Sequence, residues 1–243
     1  ENGAGAEMMQ VAKYGGFYVG RYEAGLADTI TEYTGNQIST GANTPEYNVA
    51  GIPKSKAGEL PWIFISQTNS KKSAENMYNT DEKHSDYVTS GLITGTQWDV
   101  MLNRFIGTTN ANGVTFTEAD MKNSSKWGNY ASSATTYTGR SAVLFKSGNN
   151  WYISPWGEKQ TDAKTAAYTE YTTGASKKTE AYHTYDVAGN VFEWTEEIGQ
   201  GTSYRVYRSG DCATNYQACC RHGYYTVSGV NFTIGFRTVL YIK

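Results

Sequence analysis

The chain has 243 residues, 39% of them hydrophobic and 18% charged, with a formal net charge of −2. That length can bury a real core, in one large domain or two small ones. A nucleic-acid partner needs clustered Lys and Arg, yet no block of like charge exceeds two residues, and no apolar run approaches the roughly 18 residues of a membrane span, so neither nucleic-acid binding nor membrane insertion is expected.

Residues 1–13 open polar and rich in Gly and Ala, unlike a signal peptide. They read as a linker, the cut edge of a longer chain. From Tyr14 to Glu23 apolar and polar residues alternate after a glycine turn, which predicts a strand. Residues 25–60 read as a long loop. Leu60 to Ser66 is a short extended apolar run. Thr68 or Asn69 then caps a helix to about Tyr78, with Ala74, Met77 and Tyr78 on one face. Thr94 and Gln97 have capping-box spacing, and Trp98, Met101, Leu102 and Phe105 follow at helical spacing, so a second helix is predicted from Thr94 to about Phe105.

Residues 107–180 are rich in Gly, Ser, Thr, Asn and Tyr. Strand-like runs occur at 142–145 and 151–153, and 160–180 reads as a mobile loop. Further strands are predicted at 187–195, 204–208 and 235–242. Two helices, several short strands and much loop make an α+β chain. No internal repeat and no strong linker divides it, so 14–243 is expected to be one domain.

Several chemistries are missing. There is no G-x-S-x-G, H-E-x-x-H, P-loop or G-x-G-x-x-G. His84, His183 and His222 lie far apart and read as surface or loop residues. Glu196 and Glu197 are adjacent, so on a strand they point to opposite faces. The three cysteines, Cys212, Cys219 and Cys220, form no disulfide framework and lack the paired spacing that zinc prefers. Composition points elsewhere: 20 Tyr and 26 Gly with only 4 Pro. Tyr with Ser, Gly and Asn is the vocabulary of adaptable binding surfaces, and equally of a loop-rich extracellular fold.

The run Tyr185-Asp186-Val187-Ala188-Gly189-Asn190-Val191-Phe192-Glu193-Trp194-Thr195 closely resembles the Y-D-x-x-G-N-V-W-E-W-T signature of the formylglycine-generating enzyme family. Other segments stand in the family's order: Gly16 to Glu23, Pro61 to Tyr78, Gly91 to Asp99, Arg208-Ser209-Gly210 in place of R-G-G, and Gly235-Phe236-Arg237 as the terminal G-F-R. The resemblance spans roughly 14–242 and implies a C-type-lectin-like fold with two helices around short antiparallel sheets.

Within that family the chain is more similar to the variable proteins of diversity-generating retroelements. These are non-enzymatic receptors of phage tails and bacterial surfaces, and they vary between R-G-G and G-F-R. Their mutagenesis targets adenines in AAY-type codons. NNY codons cannot encode Lys, Glu, Gln, Met or Trp. Those types supply 47 of the 243 residues, yet Ser209 to Ile234 holds only one, Gln217. Cysteine is reachable from AAC by the same route.

The resemblance therefore implies a ligand-binding segment at about 209–234 that carries Asp211, Cys212, Ala213, Asn215, Tyr216, His222, Tyr224, Tyr225, Thr226 and Asn231. Its partner would be a protein or glycan on a cell surface. Phe232 is read as core, Arg208, Arg221 and Arg237 as buried scaffold, and of Cys219 and Cys220 one is buried and one partly exposed. The family's copper-dependent oxidases are the alternative, but their C-x-x-x-x-C pair is absent: six residues separate Cys212 from Cys219. A fixed sugar-binding lectin would need a carboxylate–amide triplet that does not occur. No catalytic residue is expected.

The signature also implies a structural calcium, held by the Asp186 and Glu193 side chains and the Gly189 and Val191 carbonyls. In the competing arrangement Asp186 caps a turn, Glu193 pairs with an arginine such as Arg237, and no ion binds.

Overall fold

The computed structural model describes residues 9, 11–27, 47–79, 84–131 and 170–243, with the backbone of short strands at 37–38, 139–140, 144–147, 150–153 and 159–160. In chain order the elements are β1 (Tyr18–Val19), β2 (Gln37–Ile38), α1 (Gln67–Asn79), β3 (Val88–Leu92), α2 (Gly95–Phe105), α3 (Glu118–Lys122), β4 (Gly139–Arg140), β5 (Leu144–Ser147), β6 (Asn150–Ile153), β7 (Lys159–Gln160), β8 (Phe192–Ile198), β9 (Tyr204–Arg208), β10 (Arg221–Thr226), β11 (Ile234–Phe236) and β12 (Thr238–Ile242). Of the loop expected over 160–180, residues 161–169 lie outside the described residues.

One sheet has the order β1-β12-β3 and joins the two ends of the chain, Tyr18 opposite Leu240. A second has the order β10-β9-β8-β11; β8, β9 and β10 are antiparallel, and β11 runs parallel to β8. The architecture is α+β, with paired terminal strands and a separate sheet carrying the loop-rich half. Among the described residues no helix is long and apolar enough to cross a membrane.

Helix α2 forms as its sequence dictates. Gln97 N–H donates to Thr94 Oγ1 at 3.1 Å, and Thr94 N–H donates back to Gln97 Oε1 at 3.0 Å. Trp98, Met101, Leu102 and Phe105 are buried along one stripe. Helix α1 begins two to three residues earlier than expected, at Gln67. Its cap is Ser66, whose Oγ accepts from Asn69 N–H at 3.3 Å, so the roles read for Thr68 and Asn69 are corrected.

Three other boundaries differ. The strand expected over 14–23 pairs only at Tyr18–Val19, because the polypeptide turns away to bury Glu23. Residues 187–191 of the signature form loop before β8. The closing strand breaks at Arg237, whose side chain turns inward. Helix α3 and strands β3 and β10 carry too weak a periodicity to be read beforehand.

Candidate functional site

The signature is a buried hub. Glu193 and Arg237 are both fully buried. Arg237 donates from Nη2 to Glu193 Oε1 at 2.7 Å and from Nε to Oε2 at 3.0 Å; Nη1 bonds the Gly20 carbonyl and Nη2 the Tyr185 carbonyl, each at 2.8 Å. Three distant segments, the first strand, the signature and the terminal G-F-R, thus close on one guanidinium. Asn190 is equally committed. Its Nδ2 donates to Glu23 Oε2 at 2.7 Å and to the Tyr171 carbonyl at 3.1 Å, while its Oδ1 accepts from Asn129 Nδ2 and from Tyr171 N–H, both at 2.9 Å. Gly189 sits at φ 78°, and a Cβ there would stand 2.2 Å from the Asn129 carbonyl oxygen. Only glycine fits that close approach.

Three carboxyls crowd this guanidinium. Burial pushes Glu23 well above the usual carboxylate range, and the neighbouring Asp186 and Glu193 push it further. Burial also raises Asp186 and Glu193, with Arg237 opposing the rise at Glu193.

These residues do not fit a calcium ion. Both Glu193 oxygens are engaged by Arg237, a cation already in place. Asp186 Oδ1 accepts from Thr179 Oγ1 and its Oδ2 from Gly174 N–H, each at 2.6 Å. Gly189 N–H donates to Ser209 Oγ at 3.1 Å, and Val191 N–H to Glu23 Oε1 at 3.4 Å. Among the described residues no cluster of three or more His, Cys, Asp or Glu could hold a metal. The turn-capping and ion-pair arrangement accounts for both carboxylates.

The segment between Arg208 and Gly235 has an inner and an outer side. Its loop is pinned from within. Trp98 Nε1 donates to the Ala218 carbonyl at 3.0 Å, Ala218 N–H to Ser124 Oγ at 2.9 Å, and Ser124 N–H to Gln217 Oε1 at 2.5 Å. Asp211 and Cys212, expected to face a ligand, are instead buried. Asp211 Oδ1 accepts from Ala213 N–H at 3.1 Å and so shapes the turn; burial raises its carboxyl. Cys212 N–H donates to the Asn190 carbonyl at 2.9 Å. Ala213 is half-buried. Asn231 is structural too: its Nδ2 donates to Tyr225 Oη at 2.7 Å, and its Oδ1 accepts from Thr233 N–H at 3.0 Å.

The remaining residues form a two-tier aromatic surface. Below, Phe192 and Tyr207 meet edge to face at 5.0 Å, and His222 stacks on Tyr207 at 5.1 Å and 17°. Tyr225 is wedged against Tyr207 at 5.8 Å and Trp194 at 6.2 Å. Above, Tyr216 lies 4.5 Å from His222 and is 50% exposed, while Tyr224 is 65% exposed. Asn215 and Thr226 are exposed as well. Strand β10 explains the sorting. Its residues alternate, and a bulge between His222 and Tyr225 turns both of those rings inward and Tyr224 outward. Phe192 and Tyr207, the floor of this surface, lie outside the expected segment. Only the inward phase of β8 and β9 could have pointed to them.

The histidine gives the surface a pH response. Burial holds the His222 pKa below its ordinary 6.5. A folded pKa depressed below the unfolded one means the unfolded chain binds the proton first. The stability His222 contributes is present above about pH 6.5 and is lost as pH falls through the folded value. The melting temperature is expected to fall on that acid limb, and His222→Phe, which keeps the ring stack, to flatten it. An unaltered pH profile in the variant would refute the assignment.

Arg208 is buried as expected and lies over Trp98 at 5.9 Å; it pairs with the Asp99 carboxylate. Arg221 is not scaffold of that kind, for its side chain is 55% exposed and meets Glu197 at the surface. Cys219 and Cys220 are both half-buried thiols, rather than one buried and one partly exposed. Ser209 takes φ 71°, a conformation that favours glycine, and its Oγ accepts a bond from Gly189 N–H at 3.1 Å. Of the histidines read as surface residues, His84 and His183 are exposed and His222 is not.

No family model matches the chain, and no curated protein does. Among solved structures it is similar to Treponema denticola variable protein 1, with 21% identity over 62% of this chain and 47% of that one and a TM-score of 0.31. It is also similar to PvdO from Pseudomonas aeruginosa, with 15% identity over 93% and 80% of the two chains and a TM-score of 0.47. A third is CarF, with 15% identity over 93% and 87% and a TM-score of 0.44. The match spans about half the length of the Treponema protein.

Proposed function

We propose that the chain is a non-enzymatic receptor module whose segment around 209–234 is a diversified ligand-binding surface, as in the variable proteins of diversity-generating retroelements. In this reading it belongs to a longer protein of a phage tail or bacterial surface and binds a protein or glycan on a cell. The observation that carries it is the role of Gln217. It is the one residue of the segment that an NNY codon cannot encode, and it is bonded to Ser124 in the scaffold. Asn215, Tyr216, Tyr224 and Thr226, all encodable by NNY, face solvent. Fixed anchors beneath changeable side chains are what a rigid scaffold needs to vary its surface cheaply. Tyrosine supplies contact area with little rotamer entropy to lose.

Sequencing the encoding locus in independent isolates tests this. The expected result is a neighbouring reverse transcriptase gene and a near-repeat of the codons for 209–237. Changes should concentrate at 215, 216, 224 and 226 and spare Gln217 and Arg237. Unvarying codons at the four exposed positions, with no repeat, would overturn the reading.

A further inference from the structure

A cavity lies away from the 209–234 segment. It has a volume of about 580 Å³ and is built from the first strand, the outer face of α2 and the turn at 182–184. Its wall is apolar, with Phe17, Val19, Met101 and Phe105, and side chains at its edge leave more apolar surface in water: Tyr18 is 59% exposed and Val100 49%. Such contiguous exposure on a folded chain marks a contact site. The volume is that of a small-molecule pocket.

The polar part of the cavity's lining pairs two guanidiniums with Tyr182, His183 and Thr184. Arg21 and Arg104 both line it, and among the described residues neither guanidinium has a carboxylate partner. Arg104 instead donates to Tyr182 Oη at 2.7 Å and lies over that ring at 4.5 Å. The acid near this rim is Glu180, which faces His183 Nδ1 at 3.4 Å and is itself largely buried. The turn that presents Tyr182 and His183 holds both at positive φ, 47° and 62°, and is closed by the paired bonds of Ala181 and Thr184 at 2.7 and 2.9 Å. Primed turns of this kind favour Asn-Gly. Tyr-His is a strained choice at two successive positions, and strain of this sort clusters at ligand clamps.

We propose that this cavity is a binding site for a small organic anion with an apolar body, a carboxylate on an aliphatic or aromatic chain. The body fills the space between Phe17 and Phe105, and the carboxylate meets the Arg104 and Arg21 guanidiniums, which suit planar two-point recognition. The site is independent of the receptor reading, since it shares no residue with the 209–234 surface.

Calorimetric titration with octanoate, and with octan-1-ol as its uncharged match, tests the proposal. The wild-type chain should bind octanoate at one site and octanol at least tenfold more weakly. Arg104→Gln should weaken octanoate at least tenfold and leave octanol unchanged. Because Arg104 is exposed, the variant's melting temperature should match that of the wild type. Val100→Trp, which adds bulk at the mouth, should weaken both ligands. No octanoate binding, or binding indifferent to Arg104→Gln, would overturn the site.

Discussion

Arg237→Leu is expected to cost the fold about 3–5 kcal/mol, the usual penalty for stranding one partner of a buried ion pair. For a chain of this size that is a fall in melting temperature of roughly 6–20 °C. Arg237 neutralises Glu193 while bonding the Gly20 and Tyr185 carbonyls. Its loss leaves Glu193, Glu23 and Asp186 buried without a cation. Arg237→Lys should recover only part of the stability, because an ammonium cannot serve a two-point carboxylate and two carbonyls at once. The double variant Arg237→Leu/Glu193→Leu should melt above the sum of its single losses, since the pair leaves together. The deficit of Arg237→Leu should shrink in acid. Unpaired Glu193 then has a folded pKa raised above the unfolded one, so the stability lost at neutral pH returns as the carboxyl protonates. Thermal melts of the four variants at two pH values check all of this. A melting temperature unchanged in Arg237→Leu would remove the hub as the centre of the fold.

The second expected result separates recognition from stability within one aromatic surface. On the receptor reading proposed above, Tyr216→Ala and Tyr224→Ala together should abolish binding to the cell-surface ligand. Exposed Tyr anchors at interfaces carry roughly 2 kcal/mol or more each, about thirtyfold per ring. Both rings project into solvent, so the melting temperature should hardly move; surface changes usually stay within about 0.5 kcal/mol. Tyr225→Ala should behave in the opposite way. That ring is packed against Trp194 and Tyr207 and bonded to Asn231, and its removal opens a cavity costing up to about 3 kcal/mol. Melting curves and binding isotherms of the three single variants decide it. Equal stability losses at 216, 224 and 225 would mean the three rings form one core.

How much of this was legible beforehand depended on how local the signal was. The capping box at Thr94 and the helical stripe from Trp98 to Phe105 act within a few residues, and the helix forms where they predict. The sorting of the 209–234 segment was not legible, because it depends on the bulge in β10 and on anchors over a hundred residues away, Trp98 to Ala218 for instance. Asp211 and Cys212 illustrate the failure. Their residue types suit a binding surface, but a turn that bends toward Asn190 puts them inside. Likewise the signature's carboxylates suited calcium by type, and only the position of Arg237 showed that they already had a cation.

Strand β10 stands at the edge of its sheet, hydrogen-bonded along one side by β9. An edge strand presents a row of backbone groups that a second copy can pair with, and its side chains decide whether that happens. In this chain Arg221, Gly223 and the bulge interrupt what would otherwise be a flat template. On the receptor reading proposed above, a surface that changes its residues here would be filtered by colloidal behaviour before it is filtered by affinity. Variants that place Val, Ile or Phe at both 224 and 226 are expected to lose solubility along this open edge, read as turbidity on concentration. On that reading the usable repertoire would be smaller than its codons allow, trimmed toward Tyr, Asn, Ser and Thr by solubility as well as by affinity.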